Sequence, residues 1–483
     1  MKWNPLLIFN IGDKYMSEKI IINPITSISG FLQIEVTIEK NIVTDARNNG
    51  FLFRGFEEML KGRSPFDAIY FTERICGICS TAHGFVSAIS LENALNIVPD
   101  KNGAILREIM HACEFLQNHI RHFYQFTIPD YVKLDIRPGN DEGGRKYKLP
   151  KDINERLNSH YIEAFKYSRD AHKMLAILGG KAPHTHGIFV GGATVNIDVS
   201  KIVEIRSILH SIRSFVNNVM IEDVNIISKY YPEDLKNGKG YGNFLSYGAF
   251  DSAFDEPINY VKSGALINNV KEEFNMNKIS EDIVYSYYSD PKTVLTQEDN
   301  SWKPDTNKSK AYSWVKAARY KGLPMEVGPL ARLWINGEYT KGISTLDRTM
   351  ARVIEAKRIC DIMENLLNKV TLKPAVQKRW EIPETAIGVG VRDTTRGALG
   401  HWITIEEKKI KNYNIITPSG WNLSTEDSNG NKGVVEKALI GTYVEDAKNP
   451  SEVGRIIRSF DPCVSCATHI ISDKFKDFSM RVV

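Results

Sequence analysis

The sequence has little cysteine, six residues in 483, too few for a disulfide-stapled scaffold of this size. It also has no excess of charge of either sign. With 62 basic residues against 58 acidic ones, the net +4 supplies no field that would draw in nucleic acid or an anionic membrane surface. Long apolar runs are absent too, since no stretch reaches the roughly 18 uninterrupted apolar residues that a spanning helix needs. The opening MKWNPLLIFNIGDKYMSEK offers one basic residue, Lys2, before LLIF, which is too short for a signal-peptide core. The expectation is a cytoplasmic chain, or one exported or held at a membrane only in company with a partner. Met16 reads as an alternative start, and residues 1–18 as an extension.

What is present is strongly patterned. Residues 19–49 alternate apolar and polar positions, as in FLQIEVTIEKNIVTDA, which predicts a small antiparallel sheet. Helical periodicity follows at 51–61, 66–73, 80–96, 102–126, 151–178, 199–230 and 343–369. Between about 232 and 311 Gly, Asn, Asp, Lys and Pro accumulate as in surface loops and short strands. The expected fold is α+β: one large, mostly helical domain with a long-helix bundle core, a small N-terminal antiparallel sheet and loop-rich insertions. Ser80 or Thr81 reads as the cap of the third helical segment, and Cys113 and Cys360 read as buried structural thiols.

The other four cysteines form two C-x-x-C pairs, Cys76 with Cys79 and Cys463 with Cys466. A spacing of three turns both sulfurs of a pair to one side, so two pairs can give four thiolates to one ion. The spacing supports a four-cysteine zinc site and a catalytic soft-metal site about equally. Two features sit poorly with a zinc staple. The pairs are separated by nearly the whole chain, and each is closely followed by a histidine, His83 or His469. No parallel βαβ pattern surrounds either pair, as a thioredoxin-like role would require.

RICGICSTAH together with DPCVSCATH closely resembles the two signatures of the large subunit of nickel–iron hydrogenases. Further blocks stand in the family's order, among them RGFE at 54–57, YSWVKAARY at 312–320, TRGALGHW at 395–402 and TPSGWN at 417–422. The resemblance implies reversible heterolytic cleavage of dihydrogen. Cys76 and Cys463 would be terminal nickel ligands, and Cys79 and Cys466 would bridge to an iron carrying carbon monoxide and cyanide. A thiolate such as Cys463 and the Arg396 guanidinium are the implied bases, with Asp461 holding the arginine and Ser419 donating to a cyanide. A second site for magnesium or ferrous iron would use Glu57, the backbone carbonyl of Ile415 and His469. Electrons would leave through an iron–sulfur small subunit, because this chain has no further cluster motif.

Three positions depart from the family pattern. Ser29, in SISGF, stands where a proton-handling glutamate is usual, Asn118 where an aspartate is usual, and Thr395 where a proline is usual. A serine can pass a proton on but cannot store one as a carboxylate does. The substitutions leave room for a slow hydrogen sensor built on the same centre. The related non-catalytic quinone-module subunit lacks the four cysteines and fits less well. Residues 470–483, after His469, resemble an extension removed by a dedicated endopeptidase once nickel-insertion proteins have acted, so the family domain is expected to span 19–469.

Overall fold

The computed structural model describes residues 17–134, 147–250, 260–296, 302–373, 375 and 380–464. Met1, Met16, Cys466, His469 and the 470–483 tail lie outside them.

Helices form where the apolar period is about 3.6. α1 (Phe56–Leu60), α2 (Asp67–Glu73), α3 (Ser80–Leu95), α4 (Lys101–Arg121), α5 (Lys151–Gly179), α6 (Val199–Phe215) and α7 (Ile221–Tyr230) lead to α8 (Pro329–Asn336) and α9 (Thr345–Lys369). The shorter α10 (Pro418–Asn422), α11 (Val434–Leu439) and α12 (Ser451–Ser459) follow. The Asp100 carboxylate accepts from the amides of Asn102 and Gly103 at the start of α4, and Ser344 and Asp347 form a reciprocal cap at the start of α9. The first expected helix, 51–61, begins only at Phe56, because Gly55 turns the chain at φ 67°. The expected 199–230 helix is interrupted by a π-helical turn at Val216–Met220.

α4 is the axis of the bundle, packed against α5 and α9 and buried from Asn102 to Ile120. Its inward groups include Glu114, Asn118 and His119, so polar chemistry is carried into the core, where helix bundles build their sites. It runs on into a π-helix, His122–Thr127, a geometry that re-aims the following side chains and recurs at functional sites.

The N-terminal sheet is as expected. Strands β1 (Glu18–Ile22), β2 (Leu32–Glu39) and β3 (Ile42–Gly50) pair antiparallel in that order, and the apolar face of β2 packs with α11 and α12. Residues 232–311 carry only short helical turns and strands where they are described. A second antiparallel sheet, β4 (Thr385–Thr394), β5 (Gly397–Glu406) and β6 (Lys409–Ile416), was not predicted by periodicity. It lies on α3 with almost no clearance. A β-carbon at Gly388 would sit 2.1 Å from the Ser90 carbonyl oxygen, and one at Gly390 would sit 2.3 Å from that of Val86. The tight turn from β4 to β5 carries Arg396. Gly388→Ala is therefore expected to lower stability by about 1–3 kcal/mol through overpacking, read as an earlier urea midpoint. An unchanged midpoint would show that the α3–β4 contact yields freely.

Candidate metal centre

Three chain segments converge. Cys76 lies in the turn between α2 and α3, Cys79 is the N-cap residue of α3, and Cys463 follows α12. Cys463 is delivered by the N-terminal segment. Ser29 and Cys463 form a parallel bridge in which the Ser29 amide donates to the Pro462 carbonyl at 3.1 Å and the Val464 amide donates to the Ser29 carbonyl at 2.7 Å. Asp461, at the bend before this bridge, has φ 53°, a left-handed conformation uncommon for a non-glycine residue. The expected Ser80 or Thr81 cap is not made. The amides of Thr81 and Ala82 donate instead to the Glu114 carboxylate of α4, at 2.8 and 3.2 Å. An anion brought from another helix thus serves the positive end of α3.

The sulfurs of Cys76 and Cys463 are 3.2 Å apart, and the ligand atoms of Cys76, Cys79 and Cys463 all lie within 4.8 Å of one another. Two thiolates sharing an ion at roughly 2.3 Å must sit within about 4.6 Å of each other, so this buried trio suits one soft metal. The donor set therefore fits nickel or another thiophilic ion. Cys113 and Cys360 are buried in α4 and α9, apart from this group, as expected of structural thiols. Burial pushes the Cys360 thiol up to about 12.

Arg396 is buried beside the trio. Its Nε donates to the Asp461 carbonyl at 2.9 Å, and its Nη2 reaches the Asp461 carboxylate at 3.0 Å and donates to Asn118 Oδ1 at 2.7 Å. Its Nη1 is buried without a hydrogen-bond partner among the described residues, an unspent donor in a site with three thiols. Burial alone would depress this guanidinium. Asp461, then Cys463, Cys79 and Cys76, hold it firmly charged instead. Asp461 is kept well below the usual carboxylate range, against the cost of its burial, by Arg396 first, with His122 and Arg352 adding to it.

Asn118 gives the departure at that position a physical meaning. Its amide nitrogen donates to Asp461 at 2.7 Å while its oxygen accepts from Arg396 and, at 3.1 Å, from Arg121. An aspartate there would set a second anion against Asp461, whereas the amide joins the two charges. The Ser419 hydroxyl, in the first turn of α10, accepts from the Cys463 amide at 3.0 Å, which leaves its own proton available as a donor. Ser29 Oγ is 3.6 Å from the Cys463 sulfur.

The residues expected to hold a second metal also meet. Glu57 Oε1 accepts from the Ile415 amide at 2.9 Å, beside a small cavity that Lys316, Glu281 and Thr417 also line. Burial raises the Glu57 carboxyl, and the Lys316 ammonium, 3.9 Å from Oε2 and 3.2 Å from Glu281, lowers it. Two buried carboxylates at one place suit a hard divalent cation.

Several residues of these sites escaped the sequence reading. They are His122 and Arg352, 4.0 and 3.9 Å from the Asp461 carboxylate, with Lys316 and Glu281 at the second site and Glu114 under the first cysteine pair. A buried polar chain behind the first pair was missed as well. His83 Nδ1 lies 3.2 Å from His401 Nε2, and His401 Nδ1 lies 2.9 Å from the Tyr413 hydroxyl, which donates to Ser87. Lys316 carried a signal, as a lone lysine among the aromatic and apolar residues of YSWVKAARY, and His83 carried one as the histidine that closely follows the first pair.

The family model described as nickel-dependent hydrogenase matches residues 54–137, 140–342 and 335–469. The periplasmic [NiFeSe] hydrogenase large subunit of Desulfomicrobium baculatum is 33% identical over 94% of this chain and 95% of its own length. The hydrogenase-2 large chain of Escherichia coli K12 is 30% identical over 94% and 98% respectively. The solved Ni-Fe-Se hydrogenase from D. vulgaris Hildenborough, in the reduced state, superposes with a TM-score of 0.90 at 34% identity, covering 94% of this chain and all of that one.

Proposed function

The chain belongs to the nickel-dependent hydrogenase family as a large, catalytic subunit, and from that premise we propose that Cys76, Cys79, Cys463 and Cys466 hold a nickel–iron centre whose iron carries carbon monoxide and cyanide. The observation that carries this reading is the buried trio of thiols with the spare Nη1 of Arg396 beside it. All four ligand positions read cysteine, so the centre is a sulfur-only one. When bound, it supplies the place where dihydrogen is polarised and split, with electrons passed to the small subunit.

The chain's own groups handle the proton and the geometry. The Cys463 sulfur accepts the proton, and the Arg396 guanidinium, fixed by Asp461 and Asn118, presents a donor to the reacting site. Ser419 offers its hydroxyl proton to a cyanide. Ser29, 3.6 Å from the Cys463 sulfur, relays a proton without storing it. Glu57, the Ile415 carbonyl and His469 take magnesium or ferrous iron, with Lys316 and Glu281 at its edge.

The partner is the iron–sulfur small subunit. We assign residues 19–469 to the hydrogenase domain and 470–483 to an extension that a maturation endopeptidase removes after nickel-insertion proteins have acted. No helix among the described residues is long and apolar enough to cross a membrane. The hydrogen-sensor alternative finds no support, since the relatives are named as hydrogenase large subunits and chains.

Metal analysis with infrared spectroscopy of the purified two-subunit complex tests the assignment. Nickel with carbon monoxide and cyanide bands is expected, and Cys76→Ser is expected to lose both. Stoichiometric zinc without those bands would overturn it.

A further inference from the structure

Arg396 is anchored in two elements, through its backbone in the turn from β4 to β5 and through its guanidinium on Asn118 of α4. What holds those two anchors to one another lies a layer deeper. Arg332, the fourth residue of α8 and fully buried, donates from Nη1 to the Thr394 carbonyl at 2.8 Å and from Nη2 to the Thr395 carbonyl at 3.3 Å. These are the last two carbonyls before Arg396. The same guanidinium donates from Nε and Nη2 to the two oxygens of Glu355 on α9, at 2.7 and 2.5 Å, and from Nη1 to Asp393 at 2.8 Å. Glu355 Oε2 also lies 2.7 Å from Nε2 of His119, the residue next to Asn118 on α4. Both anchors of Arg396 therefore meet at one carboxylate.

The turn has no slack on its other sides. A β-carbon on Gly328, which precedes α8 at φ 120°, would lie 3.0 Å from the Arg396 carbonyl oxygen, and one on Gly397 would lie 2.6 Å from the Gly328 amide nitrogen. Across the turn the Thr394 hydroxyl donates to the Gly397 carbonyl at 3.0 Å. Stability alone does not call for this arrangement, since a buried ion pair is often worth no more than apolar residues of the same volume. A guanidinium does something else here. Its donors lie in one rigid plane, so a fork shared between Glu355 and two successive carbonyls fixes the direction of the backbone as well as its position.

We infer that Arg332, locked by Glu355, is the positioning residue that sets the Arg396 guanidinium in its working place beside the thiols, an inference that rests on the nickel–iron reading above. Arg332 acts through the backbone of Thr394 and Thr395, and Glu355 acts through Arg332 on one side and through His119 on the other. With the turn referred to α8 and Asn118 referred to the same carboxylate, the spare Nη1 of Arg396 is kept at one distance from the reacting site. No proton or electron passes through the pair. Its work is geometric, and it is felt only through Arg396.

The test uses the complete two-subunit enzyme carrying Arg332→Met, Glu355→Gln and Asp393→Asn together, a set that strands no charge but offers no guanidinium to the two carbonyls. Nickel content is expected to be kept while kcat for dihydrogen-driven dye reduction falls roughly tenfold to a hundredfold and KM for dihydrogen stays within about twofold. On the Arg396→Lys background the same three changes should cost less than about a further twofold, because they act through a guanidinium that is already gone. Gly328→Ala, which presses on the turn without altering an ionic group, should behave in the same way. Arg107→Met with Glu92→Gln, which removes another buried pair, should keep the parent kcat. In the metal-free chain, peptides covering 394–398 should exchange backbone hydrogen faster in the triple variant and at the parent rate in the Arg107 control. Should the triple variant fail to load nickel, Gly328→Ala decides in its place. Parent kcat in the nickel-loaded variant, or a loss that multiplies in full with that of Arg396→Lys, would overturn the positioning role. A parent complex without nickel and without the carbon monoxide and cyanide bands would instead overturn the nickel–iron reading.

Discussion

Arg396→Lys is expected to lower dihydrogen-driven dye reduction by about a hundredfold to a thousandfold while leaving nickel content and the infrared bands in place. Arginine here spends Nε on the Asp461 carbonyl and Nη2 on Asp461 and Asn118, and still has Nη1 in hand. A lysine ammonium is a single point on a flexible stem. It can satisfy Asp461 or face the thiols, but it cannot hold both in a fixed geometry. Asp461 would keep a positive partner, so the fold should survive and the loss should fall on turnover. Activity within twofold of the parent would remove Arg396 from the reaction.

The largest stability effect is expected at Arg332. This fully buried residue donates from Nε and Nη2 to the two oxygens of Glu355 at 2.7 and 2.5 Å, and from Nη1 to Asp393 and the Thr394 carbonyl, each at 2.8 Å. Glu355 is also met by His119 at 2.7 Å and by the Tyr260 hydroxyl at 2.7 Å. Arg332→Met leaves two carboxylates buried without their cation and should cost about 3–5 kcal/mol in urea unfolding of the metal-free chain. Adding Glu355→Gln and Asp393→Asn should recover part of it, because the stranded charges go with the arginine.

The same network predicts a pH dependence. Against the cost of burial, Arg332 holds the Glu355 carboxyl well below its ordinary value. The stabilisation is therefore complete above the unfolded value, about 4.3, and is lost as the pH falls toward the folded one. The parent should lose stability below about pH 4, and Arg332→Met should show a flatter acid limb. Equal slopes would mean that Glu355 carries no such linkage.

The sequence showed the helices well and the second sheet poorly, for a physical reason. α4, α5 and α9 carry apolar residues three and four apart over 20 or more positions, a signal that survives their buried polar groups. The strands from Thr385 to Ile416 contain Gly388, Gly390, Gly397 and Gly400, and the middle strand is buried along most of its length. Glycine dilutes strand propensity, and burial on both faces erases the alternation by which strands are read. Gly388 and Gly390 are there because α3 leaves no room for side chains, Gly397 because Gly328 and Val327 press on it, and Gly400 because the Trp402 ring fills the space. The cysteines were legible because ligand spacing is local. Glu114 was not, because an acid 33 residues downstream of Thr81 gives no local sign that it will replace a helix cap.

The pairing of Ser29 with Cys463 has a consequence for how the protein is made. The two partners of that short ladder lie 434 positions apart along the chain, so Ser29 is made long before Cys463. At the usual 5–20 residues per second, roughly 20–80 s separate the synthesis of Cys79 from that of Cys463. Through that interval the nascent chain presents an unclosed dithiol turn, and the cleft beneath it still lacks its far wall. The order of translation thus imposes a waiting time on the centre, and co-translational folding alone cannot complete it.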